Sequence, residues 1–397
     1  MQPATARLRP APVRYGSLRS ARGNRAGGTG EDKGDVVKVR LSIISFVAIA
    51  ALALPACGTP PPGGGPAVCS GPTEVLETGS WSVYSVPRAI SPNGQWLVTT
   101  RSVGVGFEVT LRGPSPTSPG SVIATIPEAD DLQFAVSDGG EVTVEVNNNN
   151  VFTDRLHRID QSTGELVPLP APDFPLPPDA LSQLVGPNLI APGGERALWS
   201  QGVRVPQPPG SGYGLVHILD VDTAEVLWSG RAWQQVFSPS LTHMLLDNPA
   251  TSQREIVEVD TGEVRSLAAA YDALPGAAPF AISDNGRFVV FASAHRALHV
   301  WDTVTEQFGP EVTLNAQRLQ VSDTGRLQSI VTREHGEDIQ MWDPSTDRVH
   351  TPASGELVDA DWGISLAAVR TPDLRTTVAT MERAIPPSTE MLAIRCN

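Results

Sequence analysis

The chain has 397 residues, of which 36 are Gly and 36 are Pro, while Phe, Trp and Tyr together make up 6%. This mixture is typical of a turn-rich all-β protein and falls short of the Pro and Gly excess of a disordered chain. Residues 1–56 hold nine of the 29 basic residues and three of the 43 acidic residues, so the remainder carries a net charge of −20. A surface this acidic repels phosphate backbones, which argues against nucleic acid as a partner.

The N-terminal region has the features of an export signal. Residues 1–36 are rich in Arg, Gly and Pro, and we interpret them as a non-native or disordered extension, with the true start at Val36 or Val37. Residues 37–56 combine a basic stretch, a 14-residue apolar segment and small residues suited to cleavage. As a helix the apolar segment would span about 21 Å, less than the ~30 Å hydrocarbon core of a bilayer. A signal peptide is therefore favoured over a permanent transmembrane helix.

The end of this signal, Leu54-Pro55-Ala56-Cys57, resembles the lipobox of bacterial lipoproteins. The resemblance implies that Cys57 is acylated and anchors an exported protein to the cell membrane or the outer membrane. The alternative is an ordinary secretory signal with a free Cys57. Residues 57–69 are rich in Pro and Gly and predict a tether, which leaves residues 70–397 as the folded domain.

A short pattern recurs through this domain: two apolar residues, Ser with Pro or Asp, a small residue, Gly, and an apolar strand. Ser-x-Asn-Gly sequences are turn signals, because Asn and Gly tolerate positive φ. The fourth copy lacks the Gly and the seventh is faint. The position of the repeat Gly, or of the residue that replaces it, locates the copies at Gly94, Gly140, Gly194, Leu241, Gly286, Gly325 and Gly363. Their spacing of 38–54 residues is in the range of propeller blades, about 40–50 residues each.

Each repeat also contains a third strand that ends in Asp and is followed by a tight turn and a fourth strand. Examples are Leu298-His299-Val300-Trp301-Asp302 and Ile339-Gln340-Met341-Trp342-Asp343. Four short strands joined by turns make one blade. The sequence therefore predicts an all-β fold with a single β-propeller of seven four-stranded blades, with six or eight blades still open.

Two features carry a resemblance to known propellers. The Ser-Pro/Asp-x-Gly turn before an apolar strand resembles the WD40-like repeat of TolB-type propellers. The pairs Trp301-Asp302 and Trp342-Asp343 resemble the strand-end dipeptide of WD-repeat proteins. The resemblance covers about residues 75–397 and implies protein–protein contact at the cell envelope.

Two cysteines, Cys69 and Cys396, lie at the two ends of the predicted domain. An exported chain with two remaining cysteines favours a disulfide, and a propeller brings its first and last blades together. We therefore predict a Cys69–Cys396 bridge, with free thiols as the alternative.

Motifs for catalysis are lacking. The sequence contains no Gly-x-Ser-x-Gly elbow, phosphate-binding loop, His-Glu-x-x-His motif or EF-hand loop. His157, His217 and His299 occupy similar third-strand positions, which indicates a structural role. Acidic pairs could bind Ca²⁺, but solvated turn carboxylates are the simpler interpretation; the pairs are Asp130/Asp131, Asp220/Asp222 and Asp359/Asp361. We predict no catalytic residue, no metal ligand and no cofactor.

The function that follows is an exported, lipid-anchored propeller acting as a non-catalytic binding or scaffolding module. Its partner would be an envelope protein or a small ligand at the propeller face. The alternative is a propeller enzyme of the lactonase, glycosidase or dehydrogenase type that uses carboxylates and Ca²⁺ in the central channel. Converging carboxylates at the channel would indicate the enzyme, whereas an apolar or Arg-lined mouth would indicate binding, because propellers host many functions.

Overall fold

The structure is a computed structural model of the chain. It describes residues 74–79, 85–127, 131–147, 155–170, 172, 174, 181–204, 212–231, 236–248, 253–293, 297–314, 318–333, 336–357, 368–384 and 387–396. The predicted extension, signal peptide and tether, with Cys57 and Cys69, lie outside these residues. In the described part of the chain, no helix has both the length and the apolar character needed to cross a bilayer.

The described strands form seven four-stranded antiparallel blades, which confirms the predicted all-β propeller and its blade number. Within a blade, consecutive strands pair with one another. The seventh blade is completed by the start of the described chain, where β1 (Glu74–Gly79) pairs with β28 (Pro387–Arg395). One N-terminal strand thus joins three C-terminal strands and closes the ring.

The first four blades occupy the N-terminal half of the domain. Their strands are β2 (Val86–Ile90), β3 (Leu97–Val103), β4 (Gly106–Arg112) and β5 (Ser121–Pro127); β6 (Asp131–Val136), β7 (Val142–Asn147), β8 (Arg155–Ile159) and β9 (Leu166–Pro168); β10 (Leu181–Ile190), β11 (Arg196–Arg204), β12 (Gly212–Asp220) and β13 (Val226–Arg231); β14 (Val236–Phe237), β15 (His243–Asn248), β16 (Gln253–Glu258) and β17 (Val264–Ser266).

A short helix, α1 (Ala268–Ala273), connects the fourth blade to the fifth. The strands of the last three blades are β18 (Ala278–Ile282), β19 (Phe288–Ala292), β20 (Leu298–Asp302) and β21 (Gln307–Val312); β22 (Gln320–Val321), β23 (Leu327–Arg333), β24 (Gly336–Asp343) and β25 (Arg348–Leu357); β26 (Ala368–Arg370), β27 (Thr376–Ala384), β28 and β1.

The recurring Ser-Pro/Asp-x-Gly segment is the turn between the first and second strands of a blade. In the first blade the buried Ser91 hydroxyl accepts hydrogen bonds from the backbone N–H groups of Gln95 (3.2 Å) and Trp96 (2.9 Å). Gly94 in this turn has φ of +71°, a left-handed conformation that suits glycine. The predicted role of the motif as an architectural turn is therefore correct.

The seventh copy of the turn lies at residues 371–374, and our placement of it around Gly363 was wrong. Thr371 replaces the serine, since its hydroxyl accepts a hydrogen bond from the Thr376 N–H (3.1 Å). Leu374 replaces the glycine at φ +59°, as Leu241 does in the fourth copy at φ +55°. Both leucine side chains are fully buried, so packing holds a backbone conformation that glycine would adopt without strain.

Where Asp follows the turn serine, its carboxylate joins its blade to the preceding one. Each such carboxylate accepts a hydrogen bond from a backbone N–H in the neighbouring turn. The pairs are Asp138 with Asn93 (2.8 Å), Asp284 with Ser240 (2.7 Å) and Asp323 with Asn285 (2.8 Å). Burial raises the pKa of Asp284 above its usual value. The choice of Asp at this position therefore connects blades.

The two Trp-Asp dipeptides also have structural roles. Trp301 and Trp342 are buried between blades. The Arg287 guanidinium donates to both carboxylate oxygens of Asp302, at 3.0 and 2.7 Å, and this lowers the pKa of Asp302. In the next blade the Arg326 Nε donates to one carboxylate oxygen of Asp343 at 2.8 Å. These two arginines directly follow the repeat glycine, and each connects the turn to the end of the third strand of its blade.

Candidate functional site

The first strand of each blade is the innermost, and these strands border the central channel of the propeller. We use the name inner arc for the inner segments of four consecutive blades: β18, residues 318–321, β26 and β2. The seventh and first blades are neighbours, because Ile90 and Leu97 pack against Val378 and Met391.

The inner arc is positively charged although the chain is acidic. Its segments read Ala-Pro-Phe-Ala-Ile, Arg-Leu-Gln-Val, Ala-Val-Arg and Val-Pro-Arg-Ala-Ile, with three Arg and no Asp or Glu. The whole chain has a net charge of −14. A concave surface of one charge sign concentrates ligands of the opposite sign. The inner arc is therefore suited to an anion.

Two β-bulges shape the ends of this arc. The pairing register shifts between Pro87 and Ala89 in the first blade and between Pro279 and Ala281 in the fifth, which leaves Arg88 and Phe280 as the extra residues. A bulge re-aims the extra side chain away from the alternation of the strand. Consistently, Phe280 is 44% exposed although Ala281 beside it is buried. The Arg88 Nε donates to the Thr100 hydroxyl at 2.8 Å.

Arg370 occupies a position that is apolar in every other blade, directly before the turn serine or its replacement. The corresponding residues are Ile90, Val136, Ile190, Phe237, Ile282 and Val321. The Arg370 guanidinium donates to the backbone carbonyls of Gln328 (3.1 Å) and Arg318 (2.7 Å). Within the part of the chain that the structure describes, no carboxylate pairs with Arg370. The cation is held by neutral carbonyl groups.

A buried polar pair supports this arrangement from the neighbouring strands. The Gln328 Nε2 donates to the Thr377 hydroxyl at 2.8 Å, and that hydroxyl lies 3.2 Å from the Gln328 Oε1. Both residues are at most 1% exposed. At the junction of the first and second blades the corresponding residues are Val98 and Val142, which belong to one apolar cluster. A closed pair of this kind satisfies both side chains and fixes the strand that presents the Gln328 carbonyl.

The electrostatics of Arg370 differ from those of the turn arginines. Burial, together with the nearby positive charge of Arg318, lowers the pKa of Arg370 to about 10. The guanidinium stays charged at neutral pH, in an environment that disfavours its charge. An incoming anion would relieve both the desolvation and the repulsion between the two arginines.

The residues singled out in the sequence do not come together. Cys396 is buried and belongs to a disulfide, and the other two cysteines of the chain lie outside the described residues. His217 stacks on Phe174 with a ring distance of 4.1 Å, and Asp220 accepts hydrogen bonds from Thr223 in a turn. Across the described ranges, no group of three or more His, Cys, Asp or Glu could hold a metal ion.

Sequence reasoning missed Arg370 because the seventh repeat was placed too early. When the seven repeats are aligned on their turns, the residue directly before the turn is apolar in six blades and is Arg370 in the seventh. That break in the repeat is a signal that the sequence contains.

No protein-family model matches the sequence, and no curated protein matches it. The fold resembles that of an oligogalacturonate lyase solved in complex with manganese, with a TM-score of 0.51, 12% identity, and coverage of 82% of this chain and 98% of that one. An oligogalacturonate lyase from Vibrio parahaemolyticus matches with a TM-score of 0.49 and 12% identity, over 81% of this chain and 98% of that one. At this identity the likeness establishes the shared propeller fold.

These comparisons correct our functional prediction. We predicted a non-catalytic binding or scaffolding module and therefore no enzyme, whereas the oligogalacturonate lyase with a similar fold is an enzyme. The prediction of a non-catalytic module is wrong on this finding, and the enzyme alternative is better supported. The carboxylate-rich channel that we attached to that alternative is not what the inner arc presents, since its described segments carry Arg.

Manganese does not fit the site described above. Divalent cations of this kind are bound by carboxylate, carbonyl or imidazole groups. The polar and aromatic side chains of the inner arc are those of Arg, Gln and Phe, the adjoining buried pair adds Gln328 and Thr377, and two neighbouring guanidinium groups repel a cation. We derive no chemical step through a metal ion.

Proposed function

We propose that this propeller is an enzyme that acts on an acidic oligosaccharide, a chain of uronate sugars, at the inner arc. The observation that carries the proposal is the inner arc, whose four segments contain three Arg and no Asp or Glu in a strongly acidic protein. The fold shared with an oligogalacturonate lyase supports the choice of an enzyme and of a uronate substrate. We had expected an Arg-lined channel mouth in a binding protein. It is equally suited to an enzyme whose substrate is an anion.

The inner arc offers what such a substrate needs for recognition. Guanidinium groups bind carboxylates through two parallel N–H···O bonds. The exposed Phe280 ring offers an apolar face at one end of the arc. Together these groups would bind both the charged and the apolar parts of a uronate sugar.

The reaction class that we propose is β-elimination. A base takes the proton from the carbon next to the carboxylate, and its electron pair forms a C=C bond. The glycosidic oxygen leaves with the electrons of its bond to the sugar ring and is then protonated. A guanidinium on the carboxylate would stabilise the negative charge that develops there.

The test is to incubate the purified full-length protein with de-esterified oligogalacturonate, with and without added Mn²⁺. Two readouts, ultraviolet absorbance of the new double bond and the number of reducing ends, should rise together. A neutral oligosaccharide of equal length is the control and should remain intact. The proposal fails if neither readout rises with the uronate substrate under either condition.

For the location of the protein we propose export and a lipid anchor at Cys57, supported by the signal-like residues 37–56. A tether at residues 57–69 would hold the propeller near an envelope surface. Cys57→Ser should release the protein from the membrane fraction during cell fractionation. Retention of the variant in that fraction would exclude the lipid at Cys57 as the anchor.

A further inference from the structure

The junction between the sixth and seventh blades differs from the other inner junctions in its chemistry. Its outer part is apolar, with Leu374, Ile394 and Met341 among its buried residues. Its inner part contains Arg370, the buried Gln328–Thr377 pair and the Arg318 carbonyl. Burying a charged group at a position that is apolar in six blades costs stability, which indicates that Arg370 has a role other than packing.

We infer that this junction is the carboxylate-binding subsite of the propeller, in which Arg370 and Arg318 take the carboxylate of one uronate sugar. This inference rests on the proposed function and names the residues that recognise its substrate.

The donor inventory of Arg370 supports this role. A guanidinium carries five N–H donors. The structure places two of them on the carbonyls of Gln328 and Arg318. Three donors remain in the described surroundings of the side chain, which is enough for a carboxylate bound through two of them. The two carbonyl bonds fix the plane of the guanidinium before a ligand arrives.

Arg318 supplies a second positive charge at the mouth of the subsite. Its side chain is exposed, and its backbone has φ of +47°. Its carbonyl is held by Arg370 at 2.7 Å. This bond links the two residues, and the charge of Arg318 is close enough to contribute to the lowered pKa of Arg370.

The Gln328–Thr377 pair positions Arg370 rather than contacting the ligand. Because both side chains are buried and satisfied by one another, the Gln328 carbonyl has a fixed place for the first guanidinium bond. At the junction of the first and second blades the corresponding positions hold the buried residues Val98 and Val142, and an apolar residue takes the place of the arginine.

The test is isothermal titration calorimetry of the full-length protein with digalacturonate. Arg370→Ile is the central variant, because isoleucine occupies the same position in three other blades and fits the fold. It should weaken binding by roughly tenfold to a hundredfold, the range for a lost hydrogen bond to a charged group. Arg370→Lys keeps the positive charge and loses the two parallel N–H donors of the guanidinium. Its affinity should lie between those of the unmodified protein and Arg370→Ile.

Arg375→Met is the matched control. Arg375 lies just after the same turn, is largely exposed and pairs with Asp373 at 3.6 Å. Its removal should leave the affinity unchanged. Arg318→Met, on an exposed residue, keeps the inference testable if substitution of Arg370 prevents folding, and it too should weaken binding.

The outcomes separate the two proposals. Unchanged affinity in both Arg370→Ile and Arg318→Met, or no binding to the unmodified protein, would overturn the subsite. Binding that depends on Arg370 without any turnover of oligogalacturonate would leave the subsite standing and would sink the proposed enzyme. Turnover of oligogalacturonate that is unchanged in both variants would support the proposed enzyme and would overturn the subsite.

Discussion

At the scale of single residues, the ring depends on how each blade completes its turn. Glycine is the simplest solution at the left-handed position and is present in five of the seven turns, four of which have the full Ser-x-x-Gly pattern. Leu241 and Leu374 use burial to hold the same conformation. The fourth turn keeps its Ser-Pro and could be found from sequence, whereas the seventh has neither Ser nor Gly, so it was misplaced and Arg370 was overlooked with it.

This account predicts that Leu241→Gly destabilises the propeller although it removes the left-handed strain. Truncating a buried leucine costs about 2–5 kcal/mol, whereas the strain relieved is about 1–2 kcal/mol. The free energy of unfolding, measured in urea, should fall by about 1–3 kcal/mol. A variant as stable as the parent protein would show that the leucine side chain does not hold the turn.

His217 predicts a pH dependence of stability. Burial lowers its pKa below the usual value, and the ring stacks on Phe174 while its Nδ1 lies 2.8 Å from the Ser229 hydroxyl. Below about pH 6.5 the unfolded chain protonates this histidine more readily than the folded chain, so stability falls as the pH falls.

The slope from this one group is at most about 1.4 kcal/mol per pH unit. Urea unfolding at several pH values between neutrality and pH 5 should show a smaller slope in His217→Phe than in the parent protein. Parallel stability curves for the two proteins would contradict the assignment.

At the scale of secondary structure, the ring is closed by one strand. β1 pairs with β28, with Glu74 opposite Ala393, so the residues before Glu74 and after Ala393 lead away from the same end of this strand pair. Arg112 of the first blade bonds to Glu77 of β1 and joins the closing strand to its neighbour. The alternating pattern of strands could be predicted from sequence, but this pairing could not, because it joins residues about 320 positions apart.

The closing strand supports the predicted Cys69–Cys396 disulfide. Cys69 precedes Glu74 by five residues, a distance of at most ~17 Å along the chain, and Cys396 follows Ala393 by three. Peptide mapping under non-reducing conditions should recover the two cysteines in one linked fragment. Reduction should lower the stability of the propeller by about 2–5 kcal/mol. A Cys57–Cys396 fragment, or an alkylated free Cys69, would refute the pairing.

At the scale of the whole molecule, an acidic protein presents a positively charged inner arc on four of its seven blades. The fold, its seven blades and the first six turns could be predicted from sequence, since the turn chemistry repeats, whereas the seventh turn could not. The site could not, because it is assembled from single residues on four blades, among them Arg88, Phe280 and Arg370. Within a single repeat none of these residues stands out, and they differ from the other blades only when the repeats are aligned on their turns.

The catalytic interpretation also belongs to this scale. The net negative charge of the protein repels a polyanionic sugar. The inner arc is positively charged, since its described segments carry Arg and no Asp or Glu. A substrate with carboxylates on successive sugars would be drawn to the channel and excluded elsewhere. Recognition should therefore weaken with added salt, as expected for charges that are partly exposed.

The most direct test of this account compares initial rates on two oligogalacturonates of equal length, one with free carboxylates and one fully methyl-esterified. The proposed function predicts rapid formation of unsaturated product from the free acid and a much lower rate from the ester, because esterification removes the charge that the inner arc binds. Equal rates on the two substrates, or no product from either, would contradict it.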